Sequence, residues 1–375
     1  MKCTCNTKTL RKTIESVLPG IAPKALIETL ECIKFELEDN KLTLSATDTN
    51  NYYQSHMETK DTEPGTILAK ANQFYSIIKA CDAETIHIEG VGNKNLALTG
   101  LKIKTDNAEY TVPVMDAKDF PAPPVTKGAI EYEFELTSEK FREIIRKTAY
   151  AASKDEKRPL FTGIYINIDE EATSFVATDT HRLSIYKLTD KHADKKCHVN
   201  IPVPIMVNVA KVLEADETVH ISFAGRQTKI KTENWEITSN SIEGSFPDYK
   251  RIIPASGTTT MNINRKKLAN AVERVSLCCS SENDYKVVVF EINNDKLTIR
   301  SHGASAGNGT ECVECKTDGN PLTLAFNAKY ILEYCKNVTA EELNFVLNQA
   351  LNPVLVNEKD VKDQIYILTP IRVIF

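Results

Sequence analysis

The chain is 375 residues long, with a formal net charge of −5, ten cysteines and one tryptophan. That length suits two or three domains, each able to bury its own core. No charged n-region runs into an apolar stretch at the start, and no apolar run approaches the roughly 20 residues that cross a bilayer. A soluble, cytoplasmic protein with reduced thiols and no membrane partner is expected.

Taken in order, the first third opens with the alternating run Cys3-Thr4-Cys5-Asn6, which leads into a predicted helix over residues 7–17. Ile33-Lys34-Phe35-Glu36-Leu37 and Ile86-His87-Ile88 alternate as half-buried strands, with a second helix predicted over 72–81. Residues 119–128, rich in proline, read as a linker. The middle third repeats the scheme: a strand over 132–137, a helix over 138–152, the strand Ile164-Tyr165-Ile166-Asn167-Ile168 and a helix over 204–213. A second break, 245–254, repeats the Phe-Pro of the first 126 residues later. The last third gives a strand over 261–264, a helix over 265–278, a strand over 297–301 and a helix over 328–336.

Leu10, Phe141 and Leu268 hold matching places, 131 and 127 residues apart, and Phe74, Ile205 and Tyr330 do so 131 and 125 apart. Solenoid units are about 20 to 50 residues long, so this period is a whole domain. The expectation is three copies of one α+β domain, 1–124, 125–254 and 255–375, each with two helices on antiparallel sheet.

The charge is unevenly placed. The opening helices carry Lys8, Arg11 and Lys12; Lys140, Arg142, Arg146 and Lys147; and Arg265, Lys266, Lys267 and Arg274, eleven cations against four acids. A shared basic face would be the footprint of a phosphate-binding surface, although solvated helices also carry lysine and arginine. No zinc finger, RRM signature or helix-turn-helix accompanies it. Contact would therefore be to the phosphate backbone, without base reading.

The pairs Cys3/Cys5 and Cys312/Cys315 suggest metal ligands, but Cys312 and Cys315, three apart in a strand, would face opposite sides, and cysteines used as small core residues are expected in place of a metal site. The glycine-rich segment 303–309 lacks the Gly-Lys-Ser/Thr ending of a phosphate loop. Asp179 and His181 in Ala177-Thr178-Asp179-Thr180-His181-Arg182-Leu183 could serve a DNA-modifying or nucleotide-using enzyme, and that reading stays open beside a binding scaffold.

That last segment, with Phe246-Pro247-Asp248-Tyr249-Lys250-Arg251-Ile252-Ile253-Pro254, the terminal Leu368-Thr369-Pro370-Ile371-Arg372 and the threefold plan, resembles the bacterial sliding clamp family, the β subunit of DNA polymerase III. The resemblance covers the whole chain. It implies a head-to-tail homodimer closing a six-domain ring around double-stranded DNA, held without sequence preference, with no catalysis and no cofactor. It also implies a pocket for short linear motifs of the replicative polymerase, the clamp loader and repair proteins. On matching positions the pocket is Phe161, Thr178, His181, Arg182, Leu183, Pro247, Arg251, Ile252, Pro370, Ile371 and Arg372, with Asn327, Tyr330 and Leu368 beside them. The arginines and His181 would orient the polar part of the motif. DNA would meet Lys8, Arg11, Lys12, Lys24, Lys140, Arg142, Arg146, Lys147, Arg265, Lys266 and Arg274. The family usually has glycine at Thr180, where threonine fits poorly if φ is positive, and Val373-Ile374-Phe375 extends the tail.

Overall fold

A computed structural model describes residues 1–22, 25–92, 98–124, 128–191, 193, 196–279, 286–302 and 307–373. Six α-helices stand among them: α1 (Thr7–Val17), α2 (Ala71–Ala80), α3 (Ser138–Thr148), α4 (Val203–Val212), α5 (Arg265–Ser276) and α6 (Ala328–Asn337). The internal repeat extends to how the opening helices start. Asn6 Oδ1 accepts from Thr9 N at 3.1 Å, Thr137 Oγ1 from Lys140 N at 3.2 Å, and Asn264 Oδ1 from Lys267 N at 3.0 Å. These caps satisfy otherwise orphaned amides and keep the 131- and 127-residue spacing of the buried Leu10, Phe141 and Leu268. Phe74, Ile205 and Tyr330 are likewise buried on the second helices.

Two helices end earlier than their apolar period suggests. After α3 the chain tightens into a 3-10 turn, Ala149–Ala151, and Ser153 N bonds to Phe161 O, so the ladder cannot continue. After α5, Leu277 N and Cys278 N turn back to Arg274 O and Val275 O.

The chain forms two compact units, residues 1–141 with 207–241, and 142–206 with 242–375. Among the described residues each is built on one antiparallel sheet, of 13 strands in the first and 12 in the second. The middle third of the sequence supplies strands to both. In the first unit Trp235–Asn240 pairs with Asn51–Glu58, with Trp235 opposite Ser55. In the second Arg182–Leu188 pairs with Gln364–Leu368, with Arg182 opposite Leu368. Both joints carry one further bond in the same place: His56 N to Asn234 O, 2.9 Å, and Lys187 N to Asp363 O, 2.7 Å. Strand edges that would otherwise be exposed are thus paired within the chain.

In the last third, Leu268, Val272 and Val275 of α5 and Ile331 and Tyr334 of α6 pack on Phe290, Ile299, Phe326 and Phe345 of the sheet. Residues 119–124 and 128 take neither helix nor strand, as a linker should, while 125–127 lie outside the described residues. The second break holds a short 3-10 turn, Tyr249–Ile252, capped by Asp248. Cys312 and Cys315 lie in the strand Thr310–Gly319, Cys312 opposite Thr298 and Cys315 opposite Ile263 on another strand. Of the glycine segment, 303–306 lie outside the described residues. No helix among the described residues is long and apolar enough to cross a membrane.

Candidate partner-peptide site

The segment 178–182 is a turn held by its own side chains. Thr178 Oγ1 donates to Arg182 O at 2.6 Å and accepts from Thr180 N at 3.0 Å. Asp179 Oδ1 accepts from both His181 N and Arg182 N at 3.0 Å, which leaves Thr180 at φ 77°. The same bonds recur in the first third. There Thr47 Oγ1 meets Asn51 O and Thr49 N, Asp48 Oδ1 accepts from Asn50 N and Asn51 N, and Thr49 has φ 76°. Asp179 is therefore part of the turn's architecture. Its twin Asp48 does the same work where no histidine follows, and the enzyme reading of Asp179 and His181 loses its acid.

Arg182 does not reach out to a partner, contrary to its expected orienting role. Only 6% exposed, it donates from Nε to Asp179 Oδ2 at 2.9 Å, from Nη1 to Glu333 Oε2 at 2.5 Å and from Nη2 to Tyr150 O at 2.6 Å. Its guanidinium lies 4.4 Å from the Tyr330 ring centroid. Burial opposes its charge, but Tyr366, Asp179 and Glu333 outweigh that and hold its pKa above the ordinary value. Its planar fork joins the turn to α6 and fixes the wall of the site.

The chain end is pinned against this turn. Thr369 N donates to His181 O at 2.9 Å, and Ile371 N to Ala325 O at 2.7 Å. Leu183 and Leu368, both 1% exposed, and Thr178, Asn327, Tyr330 and Pro370 form the buried floor. Asn327 also caps α6, accepting from Lys329 N at 3.1 Å. His181, Pro247, Arg251, Ile252 and Arg372 are exposed, with Phe161 and Ile371 half-buried. Beneath the 245–254 segment, Phe246 stacks on Tyr165 at 4.4 Å, Phe161 meets Phe246 edge-on at 6.0 Å, and Tyr249 packs with Leu183 and Ile367. Burial pushes the Tyr165 hydroxyl up to about 12, so it remains a neutral phenol. Lys250 grips Asp169 at 2.9 Å. All fourteen residues expected to line the pocket thus belong to the second unit, seven of them buried, two half-buried and five exposed. Ile374 and Phe375 lie outside the described residues.

Three participants escaped the sequence reading. Glu333 holds Arg182, Tyr150 supplies its carbonyl, and Arg158 donates to Thr180 Oγ1 at 3.2 Å. Glu333 stands three residues after Tyr330 on α6, so helical periodicity could have placed both on one face. Tyr150 and Arg158 had no such signal.

Among the expected DNA-facing cations, Lys147 is a correction. It is 3% exposed and bonds to Glu358 at 2.6 Å, out of reach of any duplex. Arg11 donates to Ile78 O and Cys81 O at the end of α2; Arg146 donates to Asn337 O, and Arg265 to Ala340 O and Cys335 O, at the end of α6. Cations at helix C-termini complement the carbonyl dipoles, which explains part of the basic pattern without DNA. Lys12 pairs with Glu214 and Arg274 with Glu311. Lys8 and Lys266 are exposed, and Lys140 and Arg142 half-buried. Lys24 lies outside the described residues.

Family patterns described as the N-terminal, central and C-terminal domains of the DNA polymerase III beta subunit match residues 1–124, 135–248 and 250–372. The beta sliding clamp of Bacillus subtilis is 24% identical over 383 residues, covering 99% of this chain and all of that one. That of Caulobacter vibrioides is 26% identical over 380 residues and covers both chains fully. Among solved structures, the Bacillus subtilis DNA polymerase sliding clamp superposes with a TM-score of 0.90 at 26% identity over both whole chains. The Pseudomonas aeruginosa sliding clamp bound to griselimycin superposes with a TM-score of 0.92 at 24% identity, again over both whole chains. With its threefold α+β plan and three matched domains, the chain belongs to the DNA polymerase III beta subunit family.

Proposed function

We propose that the chain acts as a sliding clamp: two copies close head to tail into a ring of six domains, 1–124, 125–254 and 255–375 in each subunit. The ring encircles duplex DNA in the cytoplasm. It performs no chemistry and uses no cofactor; it holds the replicative polymerase, the clamp loader and repair proteins near the template through short motifs seated in the Leu183–Pro370 site. Tethering raises the polymerase's effective concentration at the primer end, which is processivity.

The observation that carries this reading is a third sheet joint left open. The segment Lys102-Ile103-Lys104-Thr105-Asp106-Asn107-Ala108-Glu109-Tyr110 recurs as Lys229-Ile230-Lys231-Thr232-Glu233-Asn234-Trp235-Glu236-Ile237, 127 residues later. Ile237 and its counterpart Tyr366 are buried at the two joints within the chain, whereas Tyr110 is 46% exposed. Leu277 corresponds to Tyr150, whose ring lies 5.9 Å from that of Tyr366; Leu277 is 70% exposed. Among the described residues, one side of 109–112 and one side of 310–314 have no ladder partner. Continuing the pattern sets Tyr110 of the partner subunit on Leu277 and lets Cys312 N donate to Asn107 O of the partner subunit. Such a contact is heterologous and closes after two copies.

Retention on nicked circular DNA, compared with the same DNA linearised, tests the function, with mass measured in parallel. A dimer that stays on circles through a salt wash and runs off linear DNA is expected. A monomer lost equally from both would overturn it.

A further inference from the structure

The strand Tyr132–Thr137 opens the middle third, and its counterparts in the other two thirds are Lys2–Asn6 and Thr259–Asn264. Each counterpart is paired along both sides. Lys2–Asn6 lies between Thr85–Gly92 and Lys60–Glu63, and Thr259–Asn264 between Glu342–Leu347 and Thr310–Gly319. Tyr132–Thr137 pairs with Thr218–Ala224 on one side, and among the described residues its other side has no ladder partner.

The residue that follows each strand shows which backbone groups face the open side. Ser138 N donates to Glu217 O at 2.9 Å, just as Thr7 N donates to Glu84 O at 2.9 Å and Arg265 N to Glu341 O at 2.8 Å. Backbone groups alternate sides along a strand, so those of Glu133, Glu135 and Thr137 point to the open edge. Counted back from the same bond, Lys2, Glu133 and Thr260 are equivalent, and so are Thr4, Glu135 and Asn262. In the first third the filling strand sets Glu63 opposite Lys2, a complementary pair. In the middle third both positions are exposed glutamates. Glu135 meets His220 Nδ1 at 2.9 Å, and Glu133 has no ion pair among the described residues.

Those charges say what fits the edge. A second copy of the same strand would set glutamate against glutamate, which facing strands oppose. A segment with lysine or arginine at two alternate positions would complement both. The residues between them would share the face of the buried Phe134 and Leu136, so they would be aliphatic. Beside the edge lies a groove of about 630 Å³, lined in part by Ile130, which is 56% exposed and offers an apolar foothold to the same segment.

We propose that the open edge of Tyr132–Thr137 is a docking site for an extended protein segment of alternating basic and aliphatic residues. The segment adds as one further antiparallel strand, as Lys60–Glu63 and Thr310–Gly319 do on the counterparts. Main-chain bonds to Glu133, Glu135 and Thr137 give affinity, and the two carboxylates select the basic side chains.

The test uses the full-length chain and two synthetic peptides, one alternating Lys and Val and the other with Glu in place of each Lys. Affinity is read by fluorescence anisotropy at moderate salt, and amide hydrogen exchange over 132–137 by mass spectrometry. The unaltered chain is expected to prefer the Lys peptide by about tenfold, with new protection of the amides of Glu133, Glu135 and Thr137. The double variant Glu133→Lys, Glu135→Lys should reverse the preference, which a merely unfolded chain would not do. Equal affinity for the two peptides, a preference that the double variant leaves unchanged, or binding without protection at those amides would overturn the proposal. So would protection already present without peptide: if it rises with protein concentration the edge belongs to a second copy, and if it does not, to a segment of the chain itself.

Discussion

Thr180 and Thr49 occupy the same left-handed position in two copies of one turn, 131 residues apart, at φ 77° and 76°. A β-branched residue there pays a steric penalty of about 1–2 kcal/mol, which glycine avoids at some cost in chain entropy. Thr180→Gly and Thr49→Gly should each stabilise their unit by up to about 1 kcal/mol, measured by denaturant titration. Only the first should alter motif binding, because only Thr180 lies at the rim. Equal changes in peptide affinity from both variants would mean that the effect travels through stability alone.

Lys147 and Glu358 form a pair only 3% and 1% exposed, and Glu358 also accepts from Thr339 N at 2.9 Å and Ala340 N at 2.7 Å. Glu358→Gln leaves the buried Lys147 ammonium only the more exposed Glu143 carboxylate, 3.3 Å away, so the change should destabilise the protein by about 3 kcal/mol. Burial opposes ionisation of Glu358, but Lys147 and the two amides overcome it and hold its pKa below the ordinary 4.5. A depressed carboxylate contributes stability above its unfolded pKa and loses it as pH falls through the folded value. The gap between parent and variant should therefore be full at pH 7 and narrow below about pH 4.5. A gap independent of pH would assign the loss to packing.

Periodicity and composition made the helices and the three-domain plan legible, since Leu10, Phe141 and Leu268 keep their register and their burial. Thr178, Leu183, Leu368 and Pro370 could be named because they sit in segments that carry the family resemblance, on strands and a pinned tail, and Asn327 and Tyr330 came with the same resemblance at the start of α6. Side-chain commitments could not be read. Lys147 and Arg182 look like surface cations in a one-dimensional pattern, and only tertiary partners far along the chain, Glu358 and Glu333, bury them. The same blindness hid Arg158, whose partner Thr180 lies 22 residues away across the rim.

The open third joint makes a residue-level prediction for the dimer. Tyr110→Asp or Leu277→Asp should place a charge where the other two joints are apolar. Either should shift sedimentation at micromolar concentration from dimer to monomer and leave the thermal transition of each unit within a few degrees. In the same register, Asn107→Cys should form an intersubunit disulfide with the native Cys312 under mild oxidation, and Lys104→Cys should not. Cross-linking by both, or by neither, would place the contact in a different register.

The tail offers the most direct test of the site. From Pro370 on, it contributes a buried proline, the half-buried Ile371 held by its backbone bond to Ala325 O, and the exposed Arg372. Arg182, Tyr330 and Leu368 lie before the cut, and the bonds of Arg182 to Glu333 and Tyr150 and its contact with the Tyr330 ring do not involve the tail. Ending the chain after Thr369 should therefore preserve the floor and the sheet joint while removing one wall. Losing several apolar contacts and one cation should weaken motif-peptide binding by about 2–4 kcal/mol, roughly 30-fold to nearly 1,000-fold. The dimer should survive, because the strands proposed to close it lie elsewhere in the sequence. Peptide titration and sedimentation on the same sample separate the two effects. Undiminished peptide binding by the shortened chain would show that the motif sits somewhere other than beside Leu183 and Pro247.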